Sequence, residues 1–270
     1  QNHESQQVSV LPGPLPAFLF AGACQGSAVQ FTDMSLSNGG SAITTWAWDF
    51  GDPASGASNQ SSQASPSHQF TGTGPYTVQL IVSTNNGCQD TITHLVTLSP
   101  LPAVGFTTMY RCQQSPVAFT PGAVMNPTTI AQWHWDFGDG VISTFSNPTH
   151  IYDFAGTYTV NLTVTDTAGC SNSMSQTVLI VPLPQVNFDY SSHTCNQAST
   201  GFTSLATTAD GYIVRWTWDF GDGNITAINF PGNANVNHLY ANSGTFNVIL
   251  TVVTSDSCTA TTSKTLTVLP

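Results

Sequence analysis

Apolar and polar residues alternate along this chain with a period of two, and helical spacing flanked by caps occurs nowhere. In "QWHWDF" the alternation places Trp133, Trp135 and Phe137 on one face. In "GTYTVNLTVTD" it does the same for Tyr158, Val160, Leu162 and Val164. Around these two runs, "AVGFTT" reads as an opening strand, "PVAFTP" as a strand bounded by prolines, and "MSQTVLIVP" as a closing strand. The glycines of "GDG" and "FAG" turn the chain between them. About seven short strands rich in β-branched and aromatic residues, separated by regular turn signals, describe an antiparallel Greek-key β-sandwich.

The same pattern is written three times. "WAWDFGDP" starts at Trp46, "WHWDFGDG" at Trp133 and "WTWDFGDG" at Trp216. The pair Leu-Pro recurs at Leu15, Leu101, Leu183 and Leu269, and self-similarity at a fixed period takes priority over length in counting domains. The expected units are 15–100, 101–182 and 183–270. Residues 1–14 contain "QVSVLPGPLP", which matches "THLVTLSPLP" (93–102) and "SQTVLIVPLP" (175–184). They read as the final strand and linker of an upstream repeat, so the chain is expected to be a segment of a longer array.

The string "W-x-W-D-F-G-D-G", followed by "NPTHIYDFAGTYTVNLTV" and then "AGC", resembles the polycystic-kidney-disease (PKD) domain, an immunoglobulin-like β-sandwich. Unit three repeats the downstream part as "NHLYANSGTFNVILTV" and unit one as "SHQFTGTGPYTVQLIV". The resemblance implies an all-β fold of three tandem immunoglobulin-like sandwiches in a linear array. Unit one departs at Pro53, where the others carry Gly140 and Gly223, and "PASGASNQSSQAS" predicts a longer, looser turn there. The "LP" linkers and cysteine placement are similar to PKD arrays of very large bacterial surface proteins, including gliding and attachment adhesins exported by the type IX route.

The paired carboxylates are the residues with most chemical potential. Asp49, Asp136 and Asp219 follow the tryptophans Trp48, Trp135 and Trp218 and lie on the opposite face, while Asp52, Asp139 and Asp222 sit in the turn. A short carboxylate in a turn accepts hydrogen bonds from backbone N–H groups two residues on and ties the loop. Catalysis would need two carboxylates facing each other across a cleft, one with a raised pKa, and no third group is in sight. Calcium suits turn-borne Asp and carbonyl oxygens, yet "DFGDG" lacks the dense oxygen spacing of a calcium loop. The expectation is therefore structural, with no catalytic residue and no cofactor, and a calcium site at the turn stands as the alternative. His68, His150 and His238 each precede an aromatic by two positions and read as a requirement of the fold. The Trp-x-Trp pairs could serve as sugar platforms, but a place on the alternating core face predicts burial.

Six cysteines fall two per unit. Sequence alone permits fifteen pairings; equivalent positions in every unit single out one bridge within each, Cys24–Cys88, Cys112–Cys170 and Cys195–Cys258. Each bridge would close a loop of about 60 residues, contributing about 4 kcal/mol in the chain-entropy model. Two lone thiols per unit without CxxC spacing do not suit zinc. Disulfides place the chain in an oxidising compartment, at the cell surface or outside the cell.

Composition then excludes several functions. Only Arg111, Arg215 and Lys264 are basic against fourteen acids, for a net charge of −11, which rules against nucleic acid. No apolar run is long enough to span a bilayer. "DTI" at Asp90 and "DTA" at Asp166 resemble an O-glycan acceptor pattern of secreted proteins, making Thr91 and Thr167 candidate sites, and N-x-S/T sequons stand at Asn59, Asn161 and Asn224.

The leading expectation is a non-enzymatic extracellular spacer and adhesion segment. Proline-rich linkers stay extended, and strands of about eight residues give roughly 30 Å per unit. Two alternatives stand beside it: a homopolymeric filament or sheath subunit, and an accessory carbohydrate- or collagen-binding module of a secreted hydrolase. Expected partners are neighbouring repeats or like chains, an extracellular polysaccharide or a surface protein.

Overall fold

A computed structural model describes residues 12–39, 41–109, 111–122, 130–191, 195 and 197–270. The strand expected within residues 1–14 falls largely outside the described residues. The described chain is almost entirely β, and each repeat is an immunoglobulin-like sandwich of a three-stranded and a four-stranded antiparallel sheet.

In repeat 1 the strands are β1 (Phe18–Ala21), β2 (Ala28–Asp33), β3 (Ile43–Asp49), β4 (Gln60–Ser61), β5 (Ser67–Gln69), β6 (Tyr76–Thr84) and β7 (Gln89–Val96). Repeat 2 has β8 (Phe106–Met109), β9 (Pro116–Pro121), β10 (Ile130–Asp136), β11 (Ile142–Ser143), β12 (Thr149–Ile151), β13 (Gly156–Asp166) and β14 (Ser171–Ile180). Repeat 3 has β15 (Phe188–Tyr190), β16 (Ser199–Ser204), β17 (Ile213–Asp219), β18 (Ile225–Asn229), β19 (Val236–Leu239), β20 (Gly244–Thr254) and β21 (Thr259–Val268). The sheet orders match from repeat to repeat: β1-β2-β5 opposes β4-β3-β6-β7, and the later repeats follow suit. The edge strands β4 and β11, which follow the tryptophan string, have two residues each, too few to show alternation in the sequence, whereas β18 has five.

Alternation explains the core. In β13, Val160, Leu162 and Val164 point inward and are fully buried, as are Val78, Leu80 and Val82 of β6 and Val248, Leu250 and Val252 of β20. The opposing sheet supplies Phe31, Phe119 and Phe202 from β2, β9 and β16. The second tryptophan of each string fills the space between them: Trp48, Trp135 and Trp218 are at most 2% exposed. Its ring meets Phe18, Phe106 or Phe188 edge-on at 5.0, 5.3 and 5.2 Å, the geometry aromatic quadrupoles favour.

By packing, the chain forms two compact units. One holds the first repeat together with Thr165–Asn172, and the other holds the third repeat and most of the second. The cysteine pairing expected from the repeat is corrected here. The bonds are Cys24–Cys170 and Cys112–Cys258, both spanning 146 residues, and Cys88 and Cys195 are free thiols. Both ends of each bridge lie inside one compact unit. The expected Cys24–Cys88, Cys112–Cys170 and Cys195–Cys258 bonds fail for a reason of length. Cys112 pairs with Val181, at the far end of β14, whereas Cys170 immediately precedes that strand. A strand of ten residues separates its ends by roughly 33 Å, while a disulfide tolerates a Cα separation of only about 4.4–6.8 Å. The cysteine at the exit of one repeat therefore bonds to the turn of the next. In the chain-entropy model each such loop contributes about 5 kcal/mol, against about 4 for the shorter loops.

Candidate functional site

The tryptophan string runs along the central strand of the larger sheet: β3, β10 or β17. Its parity sends the second tryptophan and the following phenylalanine inward and the intervening aspartate outward. Each buried indole N–H donates to a carbonyl on the chain returning after the edge strand: Trp48 to Gln63 at 2.9 Å, Trp135 to Phe145 and Trp218 to Ala234 at 3.0 Å. The first tryptophans, Trp46, Trp133 and Trp216, are half-buried on the same side.

The first aspartate closes the turn. Oδ1 of Asp49, Asp136 and Asp219 accepts the N–H of Gly51, Gly138 and Gly221 at 2.9, 2.9 and 3.0 Å. These glycines adopt φ of +68°, +82° and +80°. A Cβ at Gly138 would sit 2.5 Å from the carbonyl oxygen of Thr159, and one at Gly51 would sit 2.4 Å from that of Thr77. Both the positive φ and the close backbone approach require glycine.

The second aspartate reaches the smaller sheet. Oδ2 of Asp52, Asp139 and Asp222 pairs with Nε2 of His68, His150 and His238 at 3.3, 2.6 and 2.8 Å. The histidines stand on β5, β12 and β19, so the pair staples one sheet to the other beside the turn. Each imidazole stacks flat on the phenylalanine of the string, with centroids 4.2, 4.3 and 4.0 Å apart for Phe50, Phe137 and Phe220. Each also meets the next aromatic edge-on: Phe70, Tyr152 or Tyr240. The hydroxyls of Tyr152 and Tyr240 donate to the carbonyls of Phe137 and Phe220 at 3.0 Å, and burial raises both phenol pKa values far above the ordinary range.

Burial opposes ionisation of Asp52, but the hydrogen bonds from the Thr71 hydroxyl (2.6 Å), its N–H (2.9 Å) and His68 outweigh it and hold the carboxyl below its usual value. Burial likewise opposes ionisation of Asp222, and His238 with the N–H and side-chain amide of Asn224 again reverses the balance. Neither direction suits a general acid, which needs a raised carboxyl pKa.

A calcium ion does not fit these donors. The oxygens of Asp52 and Asp222 already accept N–H and O–H bonds, and an imidazole occupies the approach that a hard cation would use. No cluster of three metal-ligating side chains exists among the described residues. The structure thus brings together the tryptophan, both aspartates and the histidine of each repeat. Sequence reading assigned the histidine to the fold but missed its partnership with the second aspartate. The threefold recurrence of both residues was the available signal.

The turn of repeat 1 differs in shape, as Pro53 implies. The loop is not loose, however: Pro53–Asn59 forms 3-10 turns broken by a kink at Gly56, where φ is +63°. Asn59 ties it at both ends, donating to Asp49 at 2.9 Å and accepting the Asp52 N–H at 2.6 Å. Of the candidate glycosylation sites, Thr91, Thr167 and Asn224 are exposed, Asn161 is half-buried and accepts from the Ser175 hydroxyl, and the Asn59 amide is engaged.

Seven strands in two antiparallel sheets, an indole core and an aspartate-closed turn define an immunoglobulin-like bead built as a tandem repeat. The PKD domain family matches residues 14–99, 97–181 and 182–268, and the chain belongs to that family. It is 40% identical over 99 residues to the pre-pro-metalloprotease PrtV of Vibrio cholerae, covering 36% of this chain and 10% of that protein. It is 43% identical over 61 residues to the collagenase ColA of Bacillus cereus, covering 23% of this chain and 6% of the enzyme. Human polycystin-1 is 29% identical over 181 residues, covering 64% of this chain and 4% of that protein. The chain thus spans a tenth or less of the length of these relatives. Among solved structures, the PKD1 domain of V. cholerae PrtV is 33% identical, with a TM-score of 0.27 over 30% of this chain and 96% of that one.

Proposed function

We propose that the chain is a non-enzymatic, extracellular structural and adhesion segment of a long multi-repeat surface protein. The observation that carries this reading is that the reactive-looking motif is consumed internally. In all three repeats the second indole, both carboxylates and the imidazole are bonded to one another or to nearby backbone. No free nucleophile–base pair remains at the string, and the repeats contribute reach and cohesion. Disulfides agree with an oxidising location. Export by the type IX route and O-glycosylation at exposed Thr91 and Thr167 belong to the same proposal, supported by the adhesin-like arrangement of the sequence.

A second reading is an accessory binding module for collagen or polysaccharide. It is favoured by the collagenase relatives, whose own names carry that substrate. Co-sedimentation of the intact chain with insoluble collagen, chitin and cellulose separates the two. The spacer reading expects the chain to stay in the supernatant with all three. Saturable retention on one polymer, lost on substituting exposed aromatics, would replace it with the module reading.

A further inference from the structure

The two free thiols occupy the same places in the fold as the bonded ones. Cys88 lies in the turn before the last strand, as Cys170 and Cys258 do. The turn is closed identically at all three: Thr84 N–H to the Cys88 carbonyl at 2.9 Å, Asp166 to Cys170 at 3.0 Å and Thr254 to Cys258 at 2.9 Å. The Cys88 N–H is also held by the Thr84 hydroxyl at 3.2 Å, as that of Cys258 is by Thr254. At the other end, Cys195 pairs in parallel with Leu269 just as Cys24 pairs with Ser99 and Cys112 with Val181. A tight turn follows each, closed by Ser27, Ser115 and Ala198 on the carbonyls of Cys24, Cys112 and Cys195 at 3.1, 3.2 and 3.2 Å.

What separates bonded from free is cover. Cys170 and Cys258 are each 1% exposed, while Cys88 is exposed. Cys112 is buried, while Cys195 is exposed. The apolar neighbour follows suit: Val181 beside Cys112 is 7% exposed and packs in a small cluster with Cys112 and Cys258, whereas Leu269 beside Cys195 is 56% exposed. The fold thus presents a preformed half-junction at each of the two sites.

We propose that Cys88 and Cys195 are the open ends of a disulfide ladder that runs from repeat to repeat. Each bonds to the complementary cysteine of a further PKD repeat. Both existing bridges join a first-position cysteine to a second-position cysteine 146 residues later. Neither thiol finds that complement among the cysteines of these three repeats, whose other four are already paired. The partner is therefore a repeat outside these three, offering a second-position thiol to Cys195 and a first-position thiol to Cys88. Joining two thiols releases two electrons and two protons, which a disulfide oxidant accepts. With oxidised glutathione, the thiolate of Cys195 attacks one glutathione sulfur and expels reduced glutathione. The partner thiolate then attacks the Cys195 sulfur of the mixed disulfide and expels the second.

The test has two arms. In the first, the 270-residue chain is held in a glutathione redox buffer, run on non-reducing gels and mapped by peptide mass spectrometry. The expected product is a ladder of linked copies whose sole intermolecular bond is Cys88–Cys195. Cys88→Ser and Cys195→Ser alone give monomers, and mixing the two variants gives a dimer and nothing longer. Mapping of the Cys24–Cys170 and Cys112–Cys258 peptides checks that each variant is folded. In the second arm a duplicate of residues 183–270 is appended after Pro270. Cys195 should then bond to the duplicate's counterpart of Cys258 within one chain. Bonding only in the second arm keeps the proposal and places the partner in line rather than on a separate copy. Symmetric Cys88–Cys88 and Cys195–Cys195 bonds, or a Cys195 left as thiol or glutathione adduct in both arms, would overturn it.

Discussion

The first and third repeats write the same tryptophan string and end it with different turns. In repeat 1, Pro53 starts a 3-10 helix, and the Asp52 and His68 side chains are each 2% exposed. In repeat 3, Gly223 takes φ +94°, and Asp222 and His238 are 15% and 12% exposed. The extra donors differ as well: Thr71 serves Asp52, and Asn224 serves Asp222. The carboxylate–imidazole pair, the flat stack on phenylalanine and the aspartate-to-glycine bond are present in both, the pair at 3.3 Å in repeat 1 and 2.8 Å in repeat 3. The lesson is that the staple between sheets is required, whereas the turn is free to vary so long as one more donor reaches the second aspartate.

The sharpest way to break this comparison is to remove the indole that both repeats share. Trp218→Ala should cost about 3–5 kcal/mol, because it empties a fully buried site and orphans the Ala234 carbonyl. Trp216→Ala, at a half-buried position, should cost about 1–2 kcal/mol. Denaturant unfolding monitored by fluorescence separates the two. Equal losses would show that the second tryptophan has no special place.

Next in size is the staple. Asp52→Ala should destabilise by about 1–3 kcal/mol, since it strands the Thr71 N–H and His68 in a buried setting. Asp222→Ala should fall in the lower half of that range, because water reaches its partners. A larger loss at Asp222 would invert the ranking that burial imposes.

The same two carboxyls make the comparison depend on pH. Their folded pKa values lie below the ordinary 3.8. Their contribution is therefore complete above that value and is lost as pH falls through the folded value. Melting temperatures of wild type and Asp52→Asn should differ by their full amount above about pH 4 and draw together progressively as the pH falls below it. A difference that widens in acid would reverse the assigned direction. The smallest effect belongs to the turn itself: Pro53→Gly should cost about 1 kcal/mol or less, through the freer unfolded chain.

Most of the fold was legible because alternation and repetition are local. The inward set Trp135, Phe137, Val160, Leu162 and Val164 follows from parity alone. The disulfides were misread because repetition reveals which cysteines are alike, not which repeats a bond joins. The run from Ser171 to Ile180 forbids Cys112–Cys170 only once Cys112 is seen to pair with Val181 at its far end. The histidine staple was hidden because its partner lies on the other sheet, at sequence separations of 16, 11 and 16. Pro53 announced a different turn, but nothing local showed that Asn59 would fasten it.

The central claim, that the tryptophan string is spent on holding each sandwich together, is tested most directly by hydrogen exchange of the indole N–H protons, followed by NMR. The Nε1 protons of Trp48, Trp135 and Trp218 should exchange only on unfolding, at rates indifferent to added calcium or polysaccharide. Rapid exchange of these three protons in the folded chain, or resonances that move when either ligand is added, would contradict it.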